Sequence, residues 1–204
     1  MVPDARDEML ARVRAAIGPR STVDIPRRYR VRGEHAPGAP ELLDLLADRL
    51  IDYKAMVLRV DRDGVSAALA DAIPAGARFV LPSGLPDEWV PAGGVVDDGS
   101  LSPTDLDGFD GVLTGCTVAA AETGTIALDG SAGQGRRAIT LVPDRHVCVV
   151  RAEQVVQTVP ELLARLDPSR PLTLISGPSA TSDIELHRVE GVHGPRTLVV
   201  VLAA

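Results

Sequence analysis

The sequence predicts an α/β protein, a three-layer α/β/α fold around a mostly parallel sheet, preceded by an N-terminal helical arm. Three observations lead there. Short apolar runs alternate with segments of helical periodicity along most of the chain, the pattern of strands joined by crossover helices. The residues are 45% hydrophobic but only 2% aromatic, so the core is built from Val, Leu, Ile and Ala, which suit strands covered on both faces. The 204 residues match one large domain with an arm. The expected division is an arm over 1–40 and an α/β domain over 41–204.

Residues 4–17 have helical spacing, with Met9, Leu10, Val13 and Ile17 on one side, and Gly18-Pro19 ends the run. The stretch to Pro40 is rich in Arg, Pro and Gly and reads as extended. A helix follows over 41–52 through Leu42, Leu45, Leu46 and Leu50, then a buried strand over 55–60. A second helix (65–73) and strand (78–81) continue the alternation. Gly, Pro and Asp break up 82–111, with room for a short helix near Trp89 and a strand at Val95-Val96. Strands are expected over 118–121 and 125–128 around the turn Glu122-Thr123-Gly124, and again over 138–142 and 147–150. The strongest helical pattern is 153–166, where Val155, Val156, Val159, Leu162, Leu163 and Leu166 recur. A buried strand over 172–175, a short helix over 182–189 and a closing strand over 197–202 complete the reading.

A formal charge of −7 argues against nucleic acid, whose phosphates need a basic surface. Arg27, Arg28, Arg30 and Arg32 nevertheless cluster in the arm, either as a solvated strip or as a docking strip for an acidic partner protein or an anionic ligand. The two cysteines, Cys116 and Cys148, are too few for a disulfide scaffold or a self-contained iron–sulfur or zinc site. They are expected to pack as small apolar groups. Charges run through the first eighteen residues, unlike a signal peptide, and no apolar run reaches membrane-span length. The expectation is a cytoplasmic protein without a membrane span.

Three segments carry residues suited to chemistry. In the first, Glu122 lies beside Thr123, Gly124 and Thr125; a carboxylate there can act as base or nucleophile, or the run is a hairpin turn needing Gly. In the second, Gly133-Gln134-Gly135-Arg136-Arg137 joins glycines that let amides approach an anion to arginines that can clamp a carboxylate or phosphate. It lacks the Gly-Lys-Ser/Thr ending of a P-loop and the glycine spacing of the dinucleotide fingerprint, and a solvent loop fits it equally. In the third, Ser179, Thr181, Ser182, Asp183 and Glu185 follow a strand and lead into a helix, where open α/β sheets bind ligands; Ser182 with Glu185 also spells a capping box. His193 and Arg196 lie in a loop just beyond.

The runs Ala121-Glu122-Thr123-Gly124-Thr125-Ile126, Gly133-Gln134-Gly135-Arg136-Arg137-Ala138, Thr181-Ser182-Asp183-Ile184-Glu185 and Val189-Glu190-Gly191-Val192-His193-Gly194-Pro195-Arg196-Thr197 resemble the lactate-utilization protein C (LutC) family. The match covers about Thr114 to Leu202. The resemblance implies a lactate-utilization (LUD) domain, of the class that includes ribose-phosphate isomerase, sugar-phosphate deaminase and CoA-transferase folds. It also implies partner proteins that carry iron–sulfur clusters and together oxidise L-lactate to pyruvate, with no cofactor in this chain.

On this reading the chain is a subunit or accessory protein that binds a small anionic metabolite. Arg136 or Arg137 would hold the carboxylate, the turn from Ser179 to Asp183 would offer amides and hydroxyls, and Glu122 would face the substrate hydroxyl. Glu122 and Glu185 are the candidate catalytic groups. Two alternatives stay open: an independent enzyme on a sugar phosphate or CoA ester, and a pure assembly protein that docks through its arginine arm. Homo-oligomerisation is compatible with each.

Overall fold

The structure, a computed structural model, describes residues 4–18, 24–178, 180–181, 189–190 and 194–204. Its centre is a six-stranded sheet made of β1 (Met56–Val60), β2 (Phe79–Leu81), β3 (Val95–Val96), β4 (Gly111–Thr114), β7 (Arg145–Arg151) and β12 (Thr197–Ala203). The strand order is β1-β12-β7-β4-β2-β3, and every neighbouring pair runs parallel.

Both faces of this sheet are covered, and the side-chain alternation of the strands shows how. On one face Val147 and Val149 of β7 and Val199, Val201 and Ala203 of β12 pack with Val65, Ala68, Leu69 and Ala72 of α3 (Val65–Ala72). The intervening residues Cys148, Val150, Leu198, Val200 and Leu202 face the other way, against Leu42, Leu43, Leu46, Ala47 and Leu50 of α2 (Pro40–Asp52). A period of two with apolar residues in both phases is the mark of a strand buried on both sides. The expected α/β fold with a mostly parallel sheet and an N-terminal helix is present.

Several features differ from expectation. A second, four-stranded sheet stands on the far side of α2, made of β5 (Val118–Ala120), β6 (Thr125–Leu128), β8 (Val155–Val156) and β9 (Thr173–Ile175), in the order β8-β5-β6-β9. Ala119, Ala121, Ile126, Leu128 and Val155 join the α2 cluster, so that one helix fills the space between two sheets. In β9, expected to be buried, Leu174 is 54% exposed, because β9 is an edge strand paired only with β6.

Residues 138–142, expected as a strand, instead hold a 3-10 turn over Arg137–Thr140. Ile139 packs there with Val80, Val112, Leu106 and Phe109, closing the face of β2 and β4 beside α4 (Pro103–Asp107), a helix not anticipated.

The expected long helix over 153–166 is broken into a 3-10 turn (Ala152–Gln154), strand β8 and helix α5 (Val159–Leu163). Pro160 explains the break: inside a longer helix its ring would clash and remove a hydrogen bond, whereas at the second position of α5 neither cost arises. Thr158 caps α5, accepting from the Glu161 amide at 3.3 Å, while the Glu161 carboxylate accepts from the Thr158 amide at 2.9 Å. This capping box predicts that Thr158→Ala destabilises the protein by about 1–2 kcal/mol, read as a shift in urea midpoint with unchanged slope.

Residues 182–188 of the last expected helix lie outside the described residues, but Val189 belongs to β11 (Val189–Glu190), which pairs antiparallel with β10 (Ala180–Thr181). Helix α1 (Ala5–Ile17) forms as expected, capped by Asp4, and buries none of its residues. Among the described residues no helix is long and apolar enough to cross a membrane.

Within β7, His146 is 1% exposed, and its Nε2 lies 2.7 Å from the Thr114 hydroxyl. Burial pushes its pKa down to about 4, against an unfolded value of about 6.5. The native state holds the ring neutral, so this stability is complete above the unfolded pKa. It is lost as the pH falls from about 6.5 toward 4, where the native ring also charges. The shift corresponds to about 3 kcal/mol. The variant His146→Gln is expected to flatten the fall in unfolding free energy between pH 7 and 4 by that order; an identical pH profile would contradict this.

Candidate functional site

The strand order fixes where a ligand crevice should open. From β2 the chain moves outward to β3, and from β4 it moves the opposite way to β7. Adjacent parallel strands whose connections diverge leave a crevice beyond their carboxyl ends. That crevice lies beyond Leu81 and Thr114, and a glycine loop bridges it. The Gly133 amide donates to the Ser83 carbonyl, and the Gly115 amide donates to the Gly133 carbonyl, both at 2.8 Å.

The loop is built rather than loose. Gln134 is 4% exposed; its Oε1 accepts from the Asp129 amide at 2.7 Å, and its Nε2 donates to Thr117 and Ser131 hydroxyls at 2.8 and 2.9 Å. Ser131 in turn donates through its amide and hydroxyl to the Asp129 carboxylate. The amides of Gly133, Gln134 and Gly135 all donate to carbonyls of the protein. The loop therefore supplies walls and shape, and its glycine amides are not the anion cradle that the sequence suggested. Gly135, at φ 70°, has no room for a side chain: a Cβ would meet Ile139 at 2.5 Å.

Two adjacent arginines emerge with different roles. Arg136 binds Asp97 with two hydrogen bonds, Nε to Oδ2 at 2.7 Å and Nη2 to Oδ1 at 3.0 Å, and also donates to the Leu101 carbonyl at 2.6 Å. The Asp97 side chain is 4% exposed, and its hydrogen bonds hold the Arg136 pKa above the usual arginine value. Arg136 thus ties the segment after β3 to the glycine loop. Arg137 is exposed and donates to the Thr173 hydroxyl at 3.2 Å. Among the described residues it has no carboxylate partner. It lines a cleft of about 410 Å³ together with Ser83, Ser131, Thr140 and Thr173.

Glu122, Thr123, Gly124 and Thr125 lie at the opposite end of β6 from this cleft. Four strand residues separate the ends, roughly 13 Å at about 3.3 Å per residue, more than a three-carbon acid can span. The Glu122 carboxylate is paired with Arg30 of the arm and accepts from Gln157 at 3.0 Å. Beside it Thr123, Thr125 and Ser176 form a chain of hydroxyls at 2.8 and 2.9 Å. Gly124 has φ 60°, and a Cβ there would meet Arg49 Cβ of α2 at 2.9 Å; the turn needs glycine for both reasons.

Arg196 makes a two-pronged pair with Asp144, at 2.6 and 2.8 Å, at the amino end of β7 and away from the crevice. Ser179, Ser182, Asp183, Glu185 and His193 lie outside the described residues; Thr181 is in β10, and its side chain is not described.

The expected single constellation is therefore two places: hydroxyls with Glu122 at one end of β6, and the glycine loop with Arg137 at the other. Sequence reading missed Asp97, Ser83 and Thr173. Asp97-Asp98-Gly99 directly after a short strand was the available signal for the first; nothing local marked the others. Cys116 and Cys148 are both buried and in hydrogen-bond contact, which with burial keeps the Cys116 thiol well above its usual pKa, as expected of packing groups. Among the described residues no three His, Cys, Asp or Glu side chains gather as a metal site requires.

Comparison with known proteins places these features in context. Residues 104–203 match the LUD domain model. Lactate utilization protein C of Deinococcus radiodurans is 50% identical over 168 residues, covering 79% of each chain. Lactate utilization protein C of Bacillus subtilis is 25% identical over 192 residues, covering 81% of this chain and 80% of that one. The crystal structure of a DUF162 family protein from Deinococcus radiodurans superposes with a TM-score of 0.69 at 40% identity. It covers 80% of this chain and 97% of that one.

Proposed function

The chain belongs to the lactate-utilization protein C family and carries its LUD domain, and on that premise we propose that it serves L-lactate oxidation as a subunit that binds a small anionic metabolite. The relatives' name supports a role in lactate utilization. The observation that carries the binding reading is Arg137, an arginine without a carboxylate partner among the described residues, in a cleft of about 410 Å³ beside the switch point of the sheet. Arg136 and Asp97 also line this cleft but are paired with each other, which leaves one guanidinium with neighbouring hydroxyls, a set that suits one carboxylate. It does not suit the several charges of a coenzyme A ester.

The redox step is assigned to iron–sulfur partner proteins. A cluster is commonly held by four thiolates, and this chain has two buried cysteines. The exposed arm, with Arg27, Arg28 and Arg32 around the Arg30–Glu122 pair, is the surface proposed to meet them.

The reading is tested by isolating the tagged chain from cells grown on L-lactate. It predicts co-elution with brown, iron-containing proteins that reduce a dye when L-lactate is added. Recovery of the chain alone from such cells, with no lactate-dependent dye reduction, would overturn it.

A further inference from the structure

We propose that the chain has a second ligand site, a cleft for a small monocarboxylate beyond the carboxyl ends of β2, β4 and β7, in which Arg151 binds the anion. It does not rest on the function proposed above, and it lies on the other side of the glycine loop from Arg137.

The cleft has a volume of about 190 Å³, below the roughly 300–1,000 Å³ of pockets for drug-sized ligands. Leu85, Trp89 and Val149 form an apolar wall, Gly115 and Ala132 face it, and Arg151 closes one side. Ala132 also lines the Arg137 cleft, so one residue of the loop separates the two. Both clefts flank the β2/β4 switch point, where the topology of a parallel sheet concentrates ligand binding.

The charge in this cleft is unopposed. Arg151 is the last residue of β7; its guanidinium lies over the Trp89 ring, 5.2 Å from the centroid. This contact orients the group without neutralising it. No Asp or Glu lines the cleft, and among the described residues Arg151 makes no ion pair. Arg136, facing the other cleft, shows the contrast with its buried carboxylate partner.

The remaining polar groups are already used. The Gln154 carboxamide accepts from the Arg151 amide at 2.8 Å and donates to the Cys116 carbonyl at 2.5 Å, and its oxygen lies 3.6 Å from the Cys116 thiol. Burial beside Cys148 keeps that thiol protonated, so it adds no negative charge. One fixed cation, an apolar wall and a small volume select an anion with a short hydrocarbon part. They reject phosphorylated ligands, which bring two charges and more bulk.

Trp89 is the chain's single tryptophan and reports on this cleft directly. The experiment titrates the full-length protein with sodium propionate, with sodium chloride as the ionic-strength control, and follows intrinsic fluorescence. The expected result is a saturable change with propionate alone, kept in Arg137→Ala and weakened at least tenfold in Arg151→Gln. The exposed substitution Ala132→Leu, which narrows the cleft without touching Arg151, should weaken it similarly, and circular dichroism should show both variants folded. Absence of a saturable change, its persistence in Arg151→Gln or Ala132→Leu, or its loss in Arg137→Ala would overturn the proposal. The last result would move the signal to the neighbouring cleft, and loss of anion binding there leaves this site unaffected.

Discussion

Asp97→Ala is expected to lower stability by about 2–3 kcal/mol, a fall of roughly 5–10 °C in melting temperature for a chain of this size. The reason is geometric. The Asp97 carboxylate is nearly inaccessible, takes two hydrogen bonds from Arg136, and its own amide donates to the Leu81 carbonyl at 2.8 Å. Removing it strands a half-buried guanidinium and frees the segment after β3 from the glycine loop. The Arg136 side chain is 37% exposed, so solvent recovers part of the loss and the figure sits below that of a fully buried pair. Arg136→Ala, which leaves the more deeply buried Asp97 without its partner, should destabilise at least as much. Thermal melts of both variants check this; melting points within a degree of the parent would show that the pair is not structural.

Arg137→Ala should do the reverse: melting unchanged, and binding of pyruvate or L-lactate weakened by about 10- to 100-fold. That range corresponds to about 1.5–3 kcal/mol for hydrogen bonds to a charged group. Arg137 is exposed and its one protein contact is the Thr173 hydroxyl at 3.2 Å, so the fold loses little without it. Arg137→Lys should recover the charge but not the forked geometry, and so restore only part of the affinity. Isothermal titration with each acid is the measurement, carried out in an Arg151→Gln background so that the second cleft does not contribute. An unchanged affinity in Arg137→Ala would remove this residue from the proposed anion site.

These two predictions divide neighbouring residues that the sequence presents as one motif. Gly133 to Arg137 reads as a loop with two arginines, and nothing local says which is committed. The answer depends on Asp97, 39 residues before Arg136 in the chain and brought close by the parallel pairing of β2 with β3 and β4. Contacts of that separation are set by topology, which periodicity does not encode. The main sheet was legible because each of its longer strands is apolar in both phases, and α2 and α3 because their apolar stripes are regular. The second sheet was not, because β8 and β9 are short and their pairing with β5 and β6 is decided by space around α2. Pro160 and the Thr158–Glu161 box were readable signals against a long helix, outweighed by the strong recurrence of Val and Leu. Glu122 was read correctly as part of a glycine turn, but its distance from Arg137 follows from the length and direction of β6.

The central claim is that this chain serves the use of L-lactate. Its most direct test is inactivation of the gene in the organism that carries it, with growth measured on L-lactate and, in parallel, on pyruvate. The account predicts that growth on L-lactate fails while growth on pyruvate continues, and that the intact gene restores the first whereas the Arg137→Ala gene does not. Equal growth of parent and mutant on L-lactate would contradict it.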